Sequence, residues 1–250
     1  MKTPLKVAVA GGTGVVGTET VRVLEARGHE PVVLARATGV DLVSGDGLGE
    51  RLEGVDAVVD VTSTATTSAR TARRFFTTAT GHLLTAGAAA GVGHHVLLSI
   101  VGIDDNPFGY YRGKVAQEQA VRSGPVPWTI VRAPQFHEFA AQMIERASFG
   151  PLVVVPRMLS APMAAAEVAG VLVDHLEAGP SGDAPEIAGP RTEEMPDLVR
   201  RLLAHRGSRQ RAVAARIPGK AGRMMRSGAL VPDHPGTVGT QTFDQWLAQR

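Results

Sequence analysis

The chain of 250 residues contains no cysteine, and aromatic residues make up only 4% of it. The absence of cysteine excludes disulfides, thiolate catalysis and cysteine-ligated metal sites. No apolar run approaches the length of a membrane-spanning helix, and residues 5–10 have the pattern of a first strand, which predicts that there is no signal peptide. From these absences we expect a cytoplasmic protein with no membrane partner.

Lysine is scarce too: only four of the 26 basic residues are lysines, so 22 are arginines. That bias is typical of a GC-rich bacterial genome. Between Arg200 and Arg226 there are nine basic residues and no acidic one, so this stretch carries +9 and the remainder −7, for a net charge of +2. Because the stretch has no aromatic residue for base stacking and no nucleic-acid motif, we expect a solvated basic surface and no nucleic-acid partner.

A hydrophobic fraction of 44% is sufficient for a full core, and the length suits a single α/β domain over residues 1–250. Strand-like and helix-like runs alternate in residues 1–134, which predicts a Rossmann-type, doubly wound parallel sheet. The less regular residues 135–250 are predicted to form a small C-terminal lobe that covers the substrate. The predicted strands are residues 5–10, 31–35, 40–43, 55–61, 95–100 and 128–132, with short ones at 152–155 and 186–188. The predicted lobe helices are residues 138–146, 164–176, 192–205 and 243–249.

A glycine-rich turn, GGTGVVG, joins the first strand to the first helix. Glycines in such a turn let the backbone approach a pyrophosphate and bring the helix close to the strand, while the helix N-terminus favours a phosphate. The pattern is compatible with GxxGxxG from Gly11 and with GxGxxG from Gly12. It predicts a dinucleotide site formed by Gly11, Gly12, Thr13, Gly14, Val15, Val16 and Gly17.

Arg36 directly follows the second strand, where an NAD-specific site usually carries an acidic residue for the ribose 2′-OH. A guanidinium group instead suits a 2′-phosphate, because it pairs with phosphate through two parallel hydrogen bonds. The alternative interpretation is an exposed arginine at a strand end. We expect the cofactor to be NADP(H) in preference to NAD(H).

Right-handed crossovers bring the carboxyl ends of the first, fourth, fifth and sixth predicted strands to one edge of the sheet. In the loop after the sixth strand, Gln135 and Phe136 are predicted to line the nicotinamide pocket and His137 to meet substrate. A loop histidine also has structural explanations, and no metal site is predicted. Ligand and chemistry are expected to gather near Gly12, Thr62, Ser99 and Pro134.

Tyr110 and Lys114 lie four residues apart at the start of a predicted helix, so their side chains share one face. An ammonium group close to a phenol favours the phenolate, which makes Tyr110 a workable general acid for reduction of a carbonyl. Ser99 could hold the substrate oxygen, and Lys114 could also bind the nicotinamide ribose. The alternative is a structural pair on the helix surface, with Tyr111 as the packed ring. We predict Ser99, Tyr110 and Lys114 as the catalytic residues.

Taken together, these segments resemble the atypical, NmrA-like branch of the short-chain dehydrogenase/reductase (SDR) superfamily. The resemblance rests on the GGTGxxG turn with Arg36, on Tyr110-Tyr111-x-x-Lys114, and on the runs LLSIVGID, WTIVRAP and TFDQWL. It implies a Rossmann fold and an NAD(P) cofactor over nearly the whole chain. The branch resembles a mixture of NADPH-dependent reductases, quinone or flavin reductases, isomerases and redox-sensing regulators.

The resemblance also implies roles for individual residues. The glycine turn would surround the pyrophosphate, Arg36 the 2′-phosphate, and Lys114 the ribose. Thr62 and Ser63 would pass near the ribose and nicotinamide. Ser99, Tyr110 and Lys114 fall in places comparable to the serine, tyrosine and lysine that transfer protons in the superfamily, although the interval from Ser99 to Tyr110 is short.

The first functional hypothesis is an NADPH-dependent reductase that transfers hydride to a carbonyl, a quinone or a related small organic substrate. The apolar, methionine-containing residues 136–163 favour a hydrophobic substrate. Two alternatives remain open. One is a non-catalytic regulatory protein that senses NADP(H), and the other is a cyclase or isomerase that uses the same pocket without net redox change. No oligomeric state is predicted.

Overall fold

The computed structural model describes residues 3–250. Its strands are β1 Lys6–Ala10, β2 Glu30–Leu34, β3 Ala57–Asp60, β4 His94–Ile100, β5 Trp128–Ala133, β6 Ser148–Phe149, β7 Leu152–Pro156, β8 Leu159–Ser160, β9 Gly182–Asp183, β10 Ile187–Ala188, β11 Glu193–Glu194, β12 Arg211–Ala215 and β13 Thr237–Val238. Its helices are α1 Val15–Ala26, α2 Leu48–Arg51, α3 Ala69–Ala89, α4 Gly109–Arg122, α5 Phe139–Ala147, α6 Ala165–Ala178, α7 Met195–His205, α8 Gly219–Arg226 and α9 Phe243–Leu247.

The chain divides into two compact units. The first unit comprises the residues up to Ser99 together with Phe108–Arg132 and Val168–Ala184. The second unit comprises Ile100–Pro107, Ala133–Glu167 and Pro185–Arg250. The glycine turn and the predicted catalytic residues belong to the first unit, whereas the loop after β5 belongs to the second.

A six-stranded sheet with the order β2-β1-β3-β4-β5-β9 forms the centre of the first unit. The strands run parallel in register, with Ala8 beside Val58 and Val58 in turn beside His95. Buried side chains of β1, β3 and β4 form one core cluster with leucines of α3 and with Val121 of α4. Such continuous burial is typical of a parallel sheet covered by helices. The predicted Rossmann-type α/β fold is confirmed.

The strand predicted at residues 40–43 is wrong, because these residues form a turn. The carboxylate of Asp41 accepts a hydrogen bond from the amide of Val43 at 2.7 Å, which closes the chain on itself. Gly45 follows with φ of 86°, a left-handed conformation that ends any extended run. The apolar character that suggested a strand has another cause here: Val40 is 1% exposed and packs in the core from the turn.

The second unit is built from small sheets and helices. Its sheets are β10-β13, β8-β11 and the three-stranded β12-β7-β6. Of the predicted lobe helices, α5, α7 and α9 lie in this unit with shifted ends, whereas most of α6 belongs to the first unit. Strand β12 and helix α8 were not predicted. Both lie in the stretch from Arg200 to Arg226, for which the sequence predicts a solvated basic helix face and loop.

Helices α3 and α4 of the first unit pack at very short distance. A Cβ added to Gly113 of α4 would lie 2.7 Å from the Cβ of Ala72 and 2.9 Å from the Phe76 ring on α3. The glycine therefore lets the two helix backbones approach each other.

Although α3 is 21 residues long, no helix within residues 3–250 is long and apolar enough to cross a membrane.

Gly113→Ala should lower the free energy of unfolding by about 1–3 kcal/mol, because the added methyl group overpacks this helix contact. Gly81→Ala is a matched control in α3, since a Cβ at Gly81 meets nothing within 4 Å. The control should raise stability by roughly 0.5–1 kcal/mol through helix propensity. Urea unfolding of both variants checks the prediction, and equal stabilisation by the two alanines would contradict the close packing.

Candidate functional site

The glycine turn lies between β1 and α1. Its conformation fits the GxxGxxG pattern, in which the three glycines are Gly11, Gly14 and Gly17. Gly11 has φ of 80°, and its carbonyl accepts the amide of Gly14 at 2.9 Å. A Cβ on Gly17 would lie 2.1 Å from that same carbonyl oxygen, so only glycine allows α1 to start so close to the turn. Gly12 has no positive φ and packs against Val33 instead.

The N-terminus of α1 offers several backbone donors to a ligand. Its N-cap residue, Gly14, makes no side-chain capping bond, and the first turn contains no acidic residue. Thr18 donates its amide to the Gly14 carbonyl at 2.9 Å, so the three preceding helical amides have no i−4 acceptor within the helix. Unused amides at a positive dipole end fit the pyrophosphate of a dinucleotide, and the absence of an acidic side chain avoids repulsion.

Arg36 lies two residues beyond the end of β2, at the start of a short 3-10 turn, Arg36–Thr38. The hydroxyl of Thr38 fixes this turn, because it accepts the amide of Ala35 at 3.1 Å and lies 2.9 Å from the Val33 carbonyl. Arg36 itself is exposed, and its guanidinium makes no ion pair with any residue between 3 and 250. It is therefore free to meet an anionic group of a ligand.

The loop after β3 contacts both the glycine turn and the start of helix α4. A Cβ on Gly11 would lie 3.0 Å from the carbonyl oxygen of Val61 and 3.2 Å from the Cα of Thr62, so the turn packs on this loop. Ser63 follows Thr62 in the same loop, and its hydroxyl lies 2.9 Å from the hydroxyl of Tyr110. Within the first unit, the structure thus brings four of the predicted site residues together: Gly11, Thr62, Ser63 and Tyr110.

Tyr110 occupies the first turn of α4, where packing fixes its position. A Cβ on Gly109 would lie 2.0 Å from the carbonyl oxygen of Thr67, so the start of α4 lies directly against the loop after β3. The half-buried Tyr110 ring meets Phe76 edge to face, with 5.5 Å between ring centroids. The neighbouring Tyr111 is buried, and burial raises the pKa of its phenol. Tyr110, with its shared hydrogen bond to an exposed serine, is the more accessible of the two phenols.

Lys114 is buried beneath the sheet edge, with 3% exposure. Its ammonium donates to the Leu98 carbonyl at 2.7 Å and to the side-chain oxygen of Gln117, and it lies 4.9 Å from the centre of the Phe76 ring. Two of its three donors are therefore used by the protein. The observed contacts tie α4 to β4, and a bond to the nicotinamide ribose would use the third donor.

Gln117 extends these contacts to a buried carboxylate, Asp60. Its side-chain amide lies 3.0 Å from the Asp60 carboxylate and 3.2 Å from the Thr62 hydroxyl. Asp60 also accepts the backbone amide of Thr62 at 3.0 Å and its hydroxyl at 2.7 Å. His95 approaches the carboxylate to 3.7 Å, and Thr80 of α3 to 3.3 Å. This buried polar network links β3, β4, α3 and α4 directly below the candidate site.

For each of the two ionisable groups of the network, burial and the neighbouring charges shift the pKa in opposite directions. Burial alone would raise the pKa of Asp60, but interactions with His95, Lys114 and Thr62 outweigh it and lower the pKa to about 2. Burial lowers the pKa of Lys114 from its ordinary value of 10.5 to about 8, although the charges of Asp60 and Glu118 oppose the change. The carboxylate thus stays ionised at neutral pH, and Lys114 loses its proton at a lower pH than an exposed lysine does.

Sequence analysis did not identify Asp60 and Gln117 as parts of the site. One signal was present for each residue: Asp60 is a charged residue at the end of an otherwise apolar strand, and Gln117 follows Lys114 by three positions on one helix face. Ser99, on β4, is 2% exposed, and its hydroxyl has no hydrogen-bond partner among residues 3–250. It retains its capacity to bind an additional polar group.

The predicted residues after β5 belong to the second unit. Pro134 is buried, and Gln135 and Phe136 are half-buried beside the segment that contains Met163. His137 is 1% exposed, and its Nε2 lies 2.9 Å from the carbonyl of Gln241. Burial lowers the pKa of His137. The cofactor and substrate roles of these four residues stay predictions. Within residues 3–250, no cluster of three or more metal-binding side chains is present.

Comparison with known proteins identifies the family. Residues 11–178 match a family model described as NAD(P)H-binding. A curated relative from Streptomyces griseus, (4-alkanoyl-5-oxo-2,5-dihydrofuran-3-yl)methyl phosphate reductase, is 35% identical over 146 residues, which cover 52% of this chain and 48% of the relative. The chain therefore matches about half the length of that relative.

Solved structures with low sequence identity share the fold. A short-chain dehydrogenase/reductase superfamily protein from Agrobacterium tumefaciens with bound NAD is 19% identical, with a TM-score of 0.66 over 98% of this chain and 95% of that one. An NADPH-dependent quinone oxidoreductase from Escherichia coli is 16% identical, with a TM-score of 0.62 over 97% and 98% of the two chains. Fold and site define a Rossmann-type, NAD(P)H-binding protein. The chain belongs to this NAD(P)H-binding family, and the predicted NAD(P)-binding Rossmann fold is confirmed.

The lowered pKa of Lys114 predicts how stability depends on pH. Because the folded pKa of about 8 is below the unfolded value of 10.5, the unfolded chain binds more protons between these values, and stability should rise with pH there. Lys114→Met should lose this rise, which is on the order of 1–3 kcal/mol. Lys6→Met, at a partly exposed lysine of β1, should keep it. Denaturant unfolding from pH 7 to 10 makes the comparison, and parallel curves for wild type and Lys114→Met would contradict it.

Proposed function

We propose that the protein is an NAD(P)H-dependent reductase that transfers hydride to a carbonyl, a quinone or a related small organic substrate. The observation that supports this proposal is the 2.9 Å contact between the hydroxyls of Ser63 and Tyr110. It joins a half-buried phenol to the same loop that packs on the glycine turn at Gly11. A proton donor therefore lies beside the segment to which the resemblance assigns the ribose and nicotinamide.

The chain's own residues would supply the proton and hold the substrate. When bound, NAD(P)H would supply a hydride, which is one proton together with two electrons. Tyr110 donates the matching proton to the substrate oxygen, so a carbonyl group becomes a hydroxyl group and NAD(P)⁺ is left. Ser63 is exposed, so its hydroxyl returns a proton from solvent to the phenolate. The unpartnered hydroxyl of Ser99 is assigned to the substrate oxygen.

Lys114 supports this chemistry mainly by position and charge. Its ammonium fixes α4 against the Leu98 carbonyl of β4, and it lies on the same helix face as Tyr110, where both side chains contact the Phe76 ring. A positive charge favours the phenolate and so facilitates proton donation. Its third donor is assigned to the nicotinamide ribose, as the resemblance implies.

The relatives support the substrate class. The Streptomyces griseus relative is named as a reductase of an alkanoyl-oxo-dihydrofuranyl methyl phosphate, and the Escherichia coli protein as a quinone oxidoreductase. Both names describe small organic molecules that carry oxo groups. We assign the same broad class to this protein, as an extension of its family membership.

For the cofactor we propose NADP(H) in preference to NAD(H). Arg36 supports this choice, because it is exposed at the end of β2 and makes no ion pair with any described residue. In NAD-specific sites an acidic residue at the end of this strand binds the ribose 2′-OH, and it would repel a 2′-phosphate. A guanidinium group attracts that phosphate instead.

Arg36→Asp should weaken NADPH binding at least about tenfold more than NADH binding, because it replaces a phosphate partner with a repelling charge. Arg209→Asp makes the same change of net charge at an exposed arginine of the second unit and should affect both cofactors equally little. Calorimetric titration of each variant with both cofactors provides the measurement. Equal weakening of NADPH and NADH by Arg36→Asp would overturn the cofactor preference.

Tyr110→Phe should lower turnover roughly 100-fold or more, because general acid catalysis contributes about that factor, while cofactor affinity stays unchanged. Tyr111→Phe is the matched control: it removes a buried hydroxyl from the next residue and should retain turnover. Ser63→Ala should slow turnover less than Tyr110→Phe. Steady-state rates and NADPH titrations of the three variants test the assignment, and full activity in Tyr110→Phe would remove Tyr110 from the mechanism.

The same assays distinguish the two alternative functions. Cofactor binding without oxidation by any substrate would favour a sensor of NADP(H). Conversion of a substrate with the cofactor unchanged would favour a cyclase or isomerase. Substrate-dependent oxidation of NADPH that requires Tyr110 supports the reductase.

A further inference from the structure

The three-stranded sheet β12-β7-β6 of the second unit leaves one face open. Leu152 of β7 pairs with Arg211 of β12 and with Phe149 of β6, and Val154 pairs with Val213. Paired residues project from the same side of a sheet, so these five side chains share one face. We call it the open face.

The open face is unusually apolar for a solvent-facing surface. Phe149 is 69% exposed, Val213 44%, Leu152 41% and Val154 38%, so the face holds four of the seven large exposed hydrophobic residues found within residues 3–250. The alternate residues of β7, Val153 and Val155, are fully buried on the opposite side. A contiguous exposed apolar patch of this kind marks an interaction site.

The most exposed part of the open face is the tip of a hairpin. β6 and β7 are antiparallel and are joined by Gly150 and Pro151, with Gly150 at φ of 58°. Phe149 and Leu152 flank this two-residue turn, and Pro151 accepts the amide of Arg211 at 2.9 Å. The Phe149 ring and the Leu152 side chain are therefore exposed side by side. The backbone that carries them is held by the pairing of β6 with β7 and by the bond from Arg211.

The segments that form the open face carry a positive net charge. Residues 145–157 and 208–217, which contain its three strands, include five arginines and one acidic residue, Glu145. Arg157 is neutralised by Glu194 at 2.8 Å. The remaining four are exposed and make no ion pair with any residue from 3 to 250: Arg146, Arg209, Arg211 and Arg216.

We propose that the open face docks on an anionic lipid surface. Phe149 and Leu152 would enter the boundary between headgroups and acyl chains, and Arg211 on the open face, with Arg209 two residues before it, would meet lipid phosphates. Apolar insertion combined with basic residues is the combination that binds proteins to the surface of anionic membranes without spanning them. Such docking departs from the expectation of no membrane partner, which rested on the lack of a membrane-spanning run, because the contact needs only the surface of the bilayer.

Charge favours a lipid surface over a second copy of the chain. In a two-fold contact each patch meets its own image, so the basic surroundings of one copy would lie against those of the other. Arg211 lies within the face itself, in the same row as Leu152, and would be desolvated without an acidic partner. An anionic membrane supplies both the apolar depth and the negative charge.

The experiment is sedimentation of the full chain with vesicles of phosphatidylcholine alone or of phosphatidylcholine and phosphatidylglycerol in equal parts. We expect binding to the anionic vesicles, which weakens with salt, and little binding to the neutral ones. Phe149→Ser should weaken binding roughly tenfold or more through the loss of buried apolar area. The double variant Arg209→Gln/Arg211→Gln should weaken vesicle binding more than Arg209→Gln or Arg211→Gln alone. It should also reduce the dependence of binding on salt.

Two controls match these variants. Val238→Ser removes another exposed hydrophobic residue, which is 52% exposed on β13, and should bind like wild type. Arg73→Gln/Arg74→Gln makes the same change of net charge on α3 and should also bind like wild type. Equal binding of wild type to neutral and anionic vesicles, or none to either, would overturn the proposal. So would a dimer in sedimentation velocity that Phe149→Ser dissociates, since a second copy would then cover the face.

Discussion

The buried carboxylate of Asp60 is the constraint around which the candidate site is organised. A negative charge with no exposure is very costly unless hydrogen bonds and positive charge surround it. Here Thr62, Gln117 and Lys114 meet that requirement, and each belongs to a different part of the site: the loop after β3, the body of α4 and the contact of α4 with β4. The position of Tyr110 therefore depends on how this charge is satisfied.

The glycine turn was predictable because its chemistry is local. Gly11 must be glycine because of its left-handed conformation, and Gly17 because a Cβ there would lie 2.1 Å from the Gly11 carbonyl oxygen. Both requirements produce a glycine spacing that is visible in the sequence. The polar network was not predictable, because Asp60 and Gln117 are 57 positions apart and neither carries a motif. The turn at residues 40–43 was not predictable for a related reason. Its apolar residues resemble a strand, but only Val40 is buried, and the Asp41 carboxylate fixes the turn because it accepts the amide of Val43.

The basic stretch shows how tertiary contacts change the meaning of a composition. As a sequence, Arg200 to Arg226 is a run of positive charge without periodicity. In the structure, β12 emerges from it and pairs with β7, so Val213 joins Val154 on a face whose apolar members are separated by about sixty residues in the chain. Charge and apolar area are thus combined on one surface that no window of the sequence contains.

The central claim is that the glycine turn, the loop after β3 and Tyr110 form one NADPH-dependent redox site. Its most direct test is titration of the purified protein with NADPH and NADH, followed by NADPH absorbance in the presence of quinones and aromatic ketones. We expect tight NADPH binding and oxidation that depends on substrate. Failure to bind either cofactor would contradict the assignment of the glycine turn, and binding without oxidation across the panel would contradict the proposed reductase activity.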